Sequence, residues 1–258
     1  MRNIKLVATG AFLALVLLLG FGPAAQASNI NSITVNSYTA TTGLNITLKD
    51  AYNHVLLSGG ETGAEFRVHI DLGNNNFQDV IGYCTDVFQN VGTGTYSNNY
   101  NLYNASTSPT WSSSQQAAAW LLGNYDPSLG NPYSYSMQTT INALQAAIWE
   151  VTYDYSATGS YSLGGGRLTF NNLDGTVAAL ANSYLTALGS AQTGGTVALN
   201  GMGFSGALVS GYNQDLIVGN VGSVPEPGSM LLFGSAAGLL GWLRRRKGQA
   251  GTEAGTEA

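Results

Sequence analysis

The 258-residue sequence predicts an α+β domain, a β-sandwich or barrel with a helical insertion, set between an N-terminal signal peptide and a short C-terminal transmembrane helix. Three observations predict it. Alternating apolar and polar residues fill the stretch after residue 28, apolar stripes of helical period occupy the middle, and small residues with a strand-like run return before the last apolar segment. Strands, then helices, then strands is the order of an α+β chain.

At the front, Arg2 and Lys5 precede an apolar run from Leu6 to Phe21, and Ala25-Gln26-Ala27 supplies a small-x-small cleavage signal. Residues 1–27 therefore read as a signal peptide, leaving 28–223 as the exported domain. Ile33 and Val35 alternate with polar neighbours, as do Leu44, Ile46 and Leu48, and Ser58-Gly59-Gly60 reads as a break. The clearest strand is Glu65 to Leu72, with Phe66, Val68, Ile70 and Leu72 on one face and Glu65, Arg67, His69 and Asp71 on the other. Gly73-Asn74-Asn75-Asn76 is a turn, because Gly and Asn tolerate positive φ. Phe77 to Tyr83 returns as the hairpin partner and delivers Cys84. From Val91 to Pro109 the chain reads as a polar loop.

Helices follow. Ser112, Ser113 or Ser114 is placed to cap a segment from Gln115 to Leu122, with Gly123-Asn124 as its stop. Met137 to Val151 is the strongest helix, since Ile141, Leu144, Ile148 and Val151 form one buried stripe. Gln145 and Trp149 lie one turn apart on an adjoining face. Gly164-Gly165-Gly166 reads as a turn, Gly175 to Leu188 as a further helix, and Asp215 to Val218 as a strand.

The C-terminus is Pro225-Glu226-Pro227, an uncharged run from Gly228 to Leu243, and then Arg244-Arg245-Arg246-Lys247. Sixteen helical residues reach only about 24 Å, short of a hydrocarbon core of about 30 Å, so the span is marginal. The cations hold its far end on the cytoplasmic side. Residues 248–258 read as a disordered tail. These three parts, in this order, resemble the PEP-CTERM sorting signal of Gram-negative bacteria over residues 224–247. The resemblance implies an exosortase as partner, the inner membrane as a station during sorting, processing near Pro225-Glu226-Pro227, and delivery to the cell surface or extracellular matrix. A plain single-pass anchor is the alternative.

Charge and motif content narrow the rest. Residues 28–223 hold only three cations, Lys49, Arg67 and Arg167, against eleven acidic side chains. Nucleic acid, which needs clustered cations, is an unsuitable partner. No Ser-His-Asp spacing, paired-His metal motif or phosphate-binding glycine loop occurs, so catalysis by turnover is not expected. No cofactor is expected either. His54 and His69 are isolated in sequence. Asp71, Asn74, Asn76 and Asp79 could offer oxygens to calcium, yet they lack the spacing and late bidentate Glu of a calcium loop, and a hairpin turn is the simpler reading.

The one cysteine, Cys84, cannot form an internal disulfide in an exported chain. It is buried and inert, paired with another chain, or bonded to something other than sulfur. Tyr83-Cys84-Thr85 follows a strand, and Leu144-Gln145-Ala146-Ala147-Ile148-Trp149 lies on a helix. An aromatic-Cys pair followed by hydrophobic-Gln-x-x-hydrophobic-Trp resembles the signatures of bacterial surface thioester domains, over roughly residues 60 to 160. The resemblance implies that Cys84 and Gln145 form an internal thioester, open to attack by an amine-bearing target, with Tyr83, Trp120 and Trp149 around the bond. An exported surface or matrix protein that adheres covalently is then the expected function. The alternative is a passive structural protein of a biofilm matrix with an inert Cys84, associated with an exopolysaccharide through exposed Tyr and Asn.

Overall fold

The computed structural model describes residues 28–41, 43–104, 111–127, 137–199 and 205–219. All of them lie in one unit, Ala24–Gly222. The signal peptide, the Pro225-Glu226-Pro227 motif, the apolar run and Arg244 to Lys247 fall outside the described residues.

Eleven described strands and three described helices follow one another. β1 (Ser28–Asn29), β2 (Ser32–Ala40), β3 (Leu44–Lys49), β4 (Val55–Glu61), β5 (Ala64–Asp71), β6 (Phe77–Cys84), β7 (Gly94–Ser97) and β8 (Asn101–Asn104) come first. Then come α1 (Ser113–Tyr125), α2 (Gln138–Tyr153), β9 (Leu168–Phe170), α3 (Gly175–Ala191), β10 (Ser205–Val209) and β11 (Leu216–Gly219). An antiparallel sheet runs in the order β1-β8-β10-β11-β6-β5-β2-β7, and β4-β3-β9 form a second. The large sheet's outer strands, β1 and β7, are not joined to each other, so the described sheet is open and not a closed barrel. The α+β class and the helical insertion are both present. β8 pairs directly with β10, Leu102 opposite Leu208, and all three helices lie between them in sequence.

The expected hairpin forms in register, with Asp71 opposite Phe77 and Glu65 opposite Tyr83. Its turn uses positive φ at Gly73, Asn74 and Asn75, and Asn76 N–H donates to the Gly73 carbonyl at 2.9 Å. Phe66, Val68 and Ile70 are buried as their alternation requires, but Glu65 is buried as well, accepting a 3.4 Å hydrogen bond from the Tyr83 hydroxyl. Three local expectations give way. Ser58-Gly59-Gly60 does not break the chain; it lies in edge strand β4, opposite Thr47, Ile46 and Asn45, where main-chain pairing with β3 outweighs glycine's poor strand propensity. The polar stretch after Val91 contains β7 and β8, because β2 and β10 offer it partners and Tyr100 and Leu102 bury themselves. Finally, α1 runs past Gly123 to Tyr125. Ser112 caps its start through a capping box with Gln115. At the other end the Tyr125 ring stacks on Tyr184 of α3, with centroids 4.0 Å apart, and this packing carries the last turn.

α2 is the centre of the domain. Every residue from Ile141 to Val151 is buried, the mark of a helix that runs through the interior rather than along a surface. It packs against α1, α3, β5, β6 and β9. One charged group is caught there. Glu150 is buried, its Oε1 accepting the Ser162 N–H at 2.9 Å, while its Oε2 has no partner among the described residues. Burial pushes its carboxyl from the ordinary 4.5 up to about 7, against the Ser162 hydrogen bond and helped by nearby Asp154. A raised carboxyl favours folding while protonated, so its contribution is full below about pH 4.5 and is lost as pH rises to about 7. Glu150→Gln keeps the acceptor for Ser162 and cannot ionise. Urea unfolding at pH 5 and pH 8 is expected to show wild type losing stability at the higher pH, and the variant losing measurably less.

Candidate functional site

β6 enters the middle of the large sheet between β5 and β11, with Tyr83 opposite Glu65 and Ile217, and Cys84 opposite Leu216. Cys84 closes the strand. It is a free thiol at 0 % exposure. Burial pushes the thiol up to about 12, although the Ala64 backbone N–H hydrogen-bonds toward it and pulls the other way. At neutral pH the group is therefore a protonated thiol.

The loop leaving Cys84 is tied down from two sides. Thr85 donates to the Asp215 carbonyl through both its N–H, at 3.0 Å, and its hydroxyl, at 3.1 Å. Gln214 Nε2 donates to the Asp86 carbonyl at 2.7 Å. From α2, the Tyr153 hydroxyl accepts the Val87 N–H at 3.0 Å. The β10–β11 turn and the end of the central helix thus hold the same short stretch, which fixes the Cys84 backbone.

Gln145 reaches this backbone from α2. It too is at 0 % exposure, and its Nε2 donates to the Cys84 main-chain carbonyl at 2.8 Å. A carbonyl oxygen only accepts, so the carboxamide nitrogen must face it. Oε1 then lies against Gly63 and has no hydrogen-bond partner among the described residues. Leaving a buried acceptor unpaired costs about 1–3 kcal/mol. An aliphatic side chain of similar size would avoid that cost but would also withdraw the donor from the Cys84 carbonyl.

Gly63, at the start of the β5 approach, forms the other wall. A Cβ on it would stand 2.2 Å from Gln145 Cγ, 2.7 Å from Cδ and 2.8 Å from Oε1. Its carbonyl accepts two hydrogen bonds from Thr41, from N at 2.8 Å and from Oγ1 at 2.9 Å. Sequence reading passed over Gly63, Ala64 and Thr41. No motif marks them, because their role arises only when the end of β2 and the start of β5 meet a helix much later in the chain.

The structure brings Cys84 and Gln145 together and places the three aromatic residues as follows. Trp149 is buried at 1 % exposure one turn beyond Gln145, and its Nε1 has no partner among the described residues. Tyr83 is buried, with its hydroxyl on Glu65. Trp120 is half-buried on α1 and sets its ring edge-on to Tyr125, at 5.9 Å and 69°. The acidic hairpin residues are engaged locally. Asp71 Oδ1 accepts the Gly73 N–H at 2.8 Å, and Asp79 pairs with His69 at 2.8 Å. His54 pairs with Asp50 at 3.0 Å. Among the described residues no group of three or more His, Cys, Asp or Glu could hold a metal ion.

Residues 81–191 match the family model for the thioester domain, and residues 223–247 match that for the PEP-CTERM protein-sorting motif. No curated protein and no solved structure matches the chain. The thioester-domain match contains both Cys84 and Gln145, whereas Thr41, Gly63 and Ala64 precede it. The sorting motif is the address of an exported, exosortase-sorted surface protein.

Proposed function

We propose that this protein attaches covalently to amine-bearing targets at the cell surface through a thioester between Cys84 and Gln145. The observation that supports the reading most is the buried Gln145 carboxamide. It is fixed by one hydrogen bond to Cys84 itself, with its own oxygen unpaired among the described residues, inside a segment that matches the thioester domain.

The chemistry needs only these side chains. The Cys84 sulfur bonds to Cδ of Gln145, the Cδ–Nε2 bond breaks, and ammonia leaves carrying the thiol proton. The nitrogen that departs is the one now hydrogen-bonded to the Cys84 carbonyl. A target amine then attacks Cδ, the Cδ–Sγ bond breaks, and the amine proton passes to sulfur, giving an amide and a free thiol. Placement on a rigid helix and a central strand supplies the effective concentration that an uncatalysed thiol–amide reaction lacks. Burial keeps water from the acyl group until a target docks. Gln145 is consumed, so this is single-use attachment and not turnover.

The sorting motif gives the bond a setting. After export, the C-terminal run holds the chain in the inner membrane of a Gram-negative envelope until an exosortase cuts near Pro225-Glu226-Pro227, and the domain passes to the surface or matrix. A second reading rests on the Cys84 thiol, pushed up to about 12 by burial, which suits an inert core cysteine in a passive, glycan-associated matrix protein. Methylamine separates the two. On the thioester reading, incubation adds one methylamine to the protein, peptide mapping finds it on the residue-145 side chain, and one thiol appears. An inert cysteine leaves the mass and the thiol count unchanged.

A further inference from the structure

A glycine at position 63 has no conformational reason. Its φ lies outside the positive region that only glycine adopts readily, so an L side chain would meet no backbone strain. Glycine adds freedom to the unfolded chain, and alanine is the more stabilising residue wherever there is space for it. Here there is none, and what occupies the space is the Gln145 side chain from Cγ to Oε1. Thr41, itself buried, holds the Gly63 carbonyl by two hydrogen bonds. The backbone at Gly63 therefore bounds the Gln145 side chain on one side, while the Cys84 carbonyl holds its Nε2 on the other.

We infer that Gly63 is a positioning residue for the Cys84–Gln145 reaction. Its missing side chain is the slot that seats the Gln145 carboxamide against Cys84, and Thr41 fixes the wall of that slot. The inference rests on the thioester reading and adds residues that lie outside the matched thioester segment. A methyl group on Gly63 would drive Cδ from its seat by more than the reaction tolerates, since a displacement of about 1 Å costs on the order of a hundredfold in rate.

The test follows ammonia loss by intact mass in freshly purified full-length protein, alongside the thermal midpoint. Gly63→Ala is expected to lose ammonia about a hundredfold more slowly than wild type. Thr41→Val, which keeps the main-chain hydrogen bond and loses the hydroxyl, is expected to slow it by up to about tenfold, and Thr41→Ser to retain the wild-type rate. Midpoints supply a check that ordinary packing would not reproduce. Gly63→Ala lowers the midpoint in the wild-type background and leaves it unchanged or raises it in Gln145→Ala, where the slot is empty. Ammonia loss at the wild-type rate in Gly63→Ala would overturn the inference alone. Full mass in wild type would overturn the thioester reading and the inference with it. If Gly63→Ala fails to fold, a folded Gly63→Ala/Gln145→Ala double variant supports the slot, and an equally unfolded one overturns it.

Discussion

Gln145→Ala is expected to abolish amine capture outright and to leave Cys84 as a slow, protonated thiol. On the proposed thioester, wild type should offer no thiol to titrate while the bond is intact. The variant should have one, at a position that is 0 % exposed in the wild-type fold, where burial pushes the thiol up to about 12. At pH 7 only about one part in 10⁵ is thiolate, from the tenfold change per pH unit. Alkylation of the folded variant is therefore slow near neutrality and rises about tenfold per pH unit until it approaches pH 12 or the fold gives way. Mass spectrometry after timed alkylation at pH 7, 8 and 9 measures this. The substitution also removes the buried Oε1, unpaired among the described residues, which offsets part of the cavity it creates. The variant should remain folded, so that loss of capture reports the chemistry and not collapse.

The second large effect is on stability. Trp149→Ala is expected to cost about 3–5 kcal/mol, which for a domain of this size is a fall of roughly 10 °C in thermal midpoint. Trp149 is among the largest fully buried side chains, on the helix that every other layer touches. Trp149→Phe keeps most of the ring, and because the indole N–H has no partner among the described residues, its removal strands nothing. That variant should lose less than half as much. Both changes sit one turn from Gln145. The alanine variant should also hydrolyse its thioester faster than wild type, since the cavity opens a path for water.

How legible the site was depends on what kind of residue it needed. Cys84 stands out by itself, as a lone cysteine in an exported chain, and Gln145 through the hydrophobic-Gln-x-x-hydrophobic-Trp pattern around it. The residues that seat them do not. Gly63 looks like any turn glycine, and Thr41 like any strand-end threonine, until the fold puts the Gln145 carboxamide where a Cβ would be. The same divide runs through the fold. β5 declares itself by alternation, β6 as its hairpin partner across the Gly-Asn turn, and α2 by its apolar stripe. β7, β8 and β10 are short, and become strands only because a neighbour offers them paired N–H and C=O groups. Glu65 reads as solvent-facing on period alone, and is buried because the sheet places the Tyr83 hydroxyl beside it.

A Cys84–Gln145 thioester removes one ammonia from the protein, and mass reports that loss most directly. Intact wild type, measured against Cys84→Ala after correction for the substitution, should be lighter than its sequence requires by one molecule of ammonia, while the variant has its full sequence mass. Full sequence mass in both, with a titratable Cys84 thiol in untreated wild type, would contradict the account.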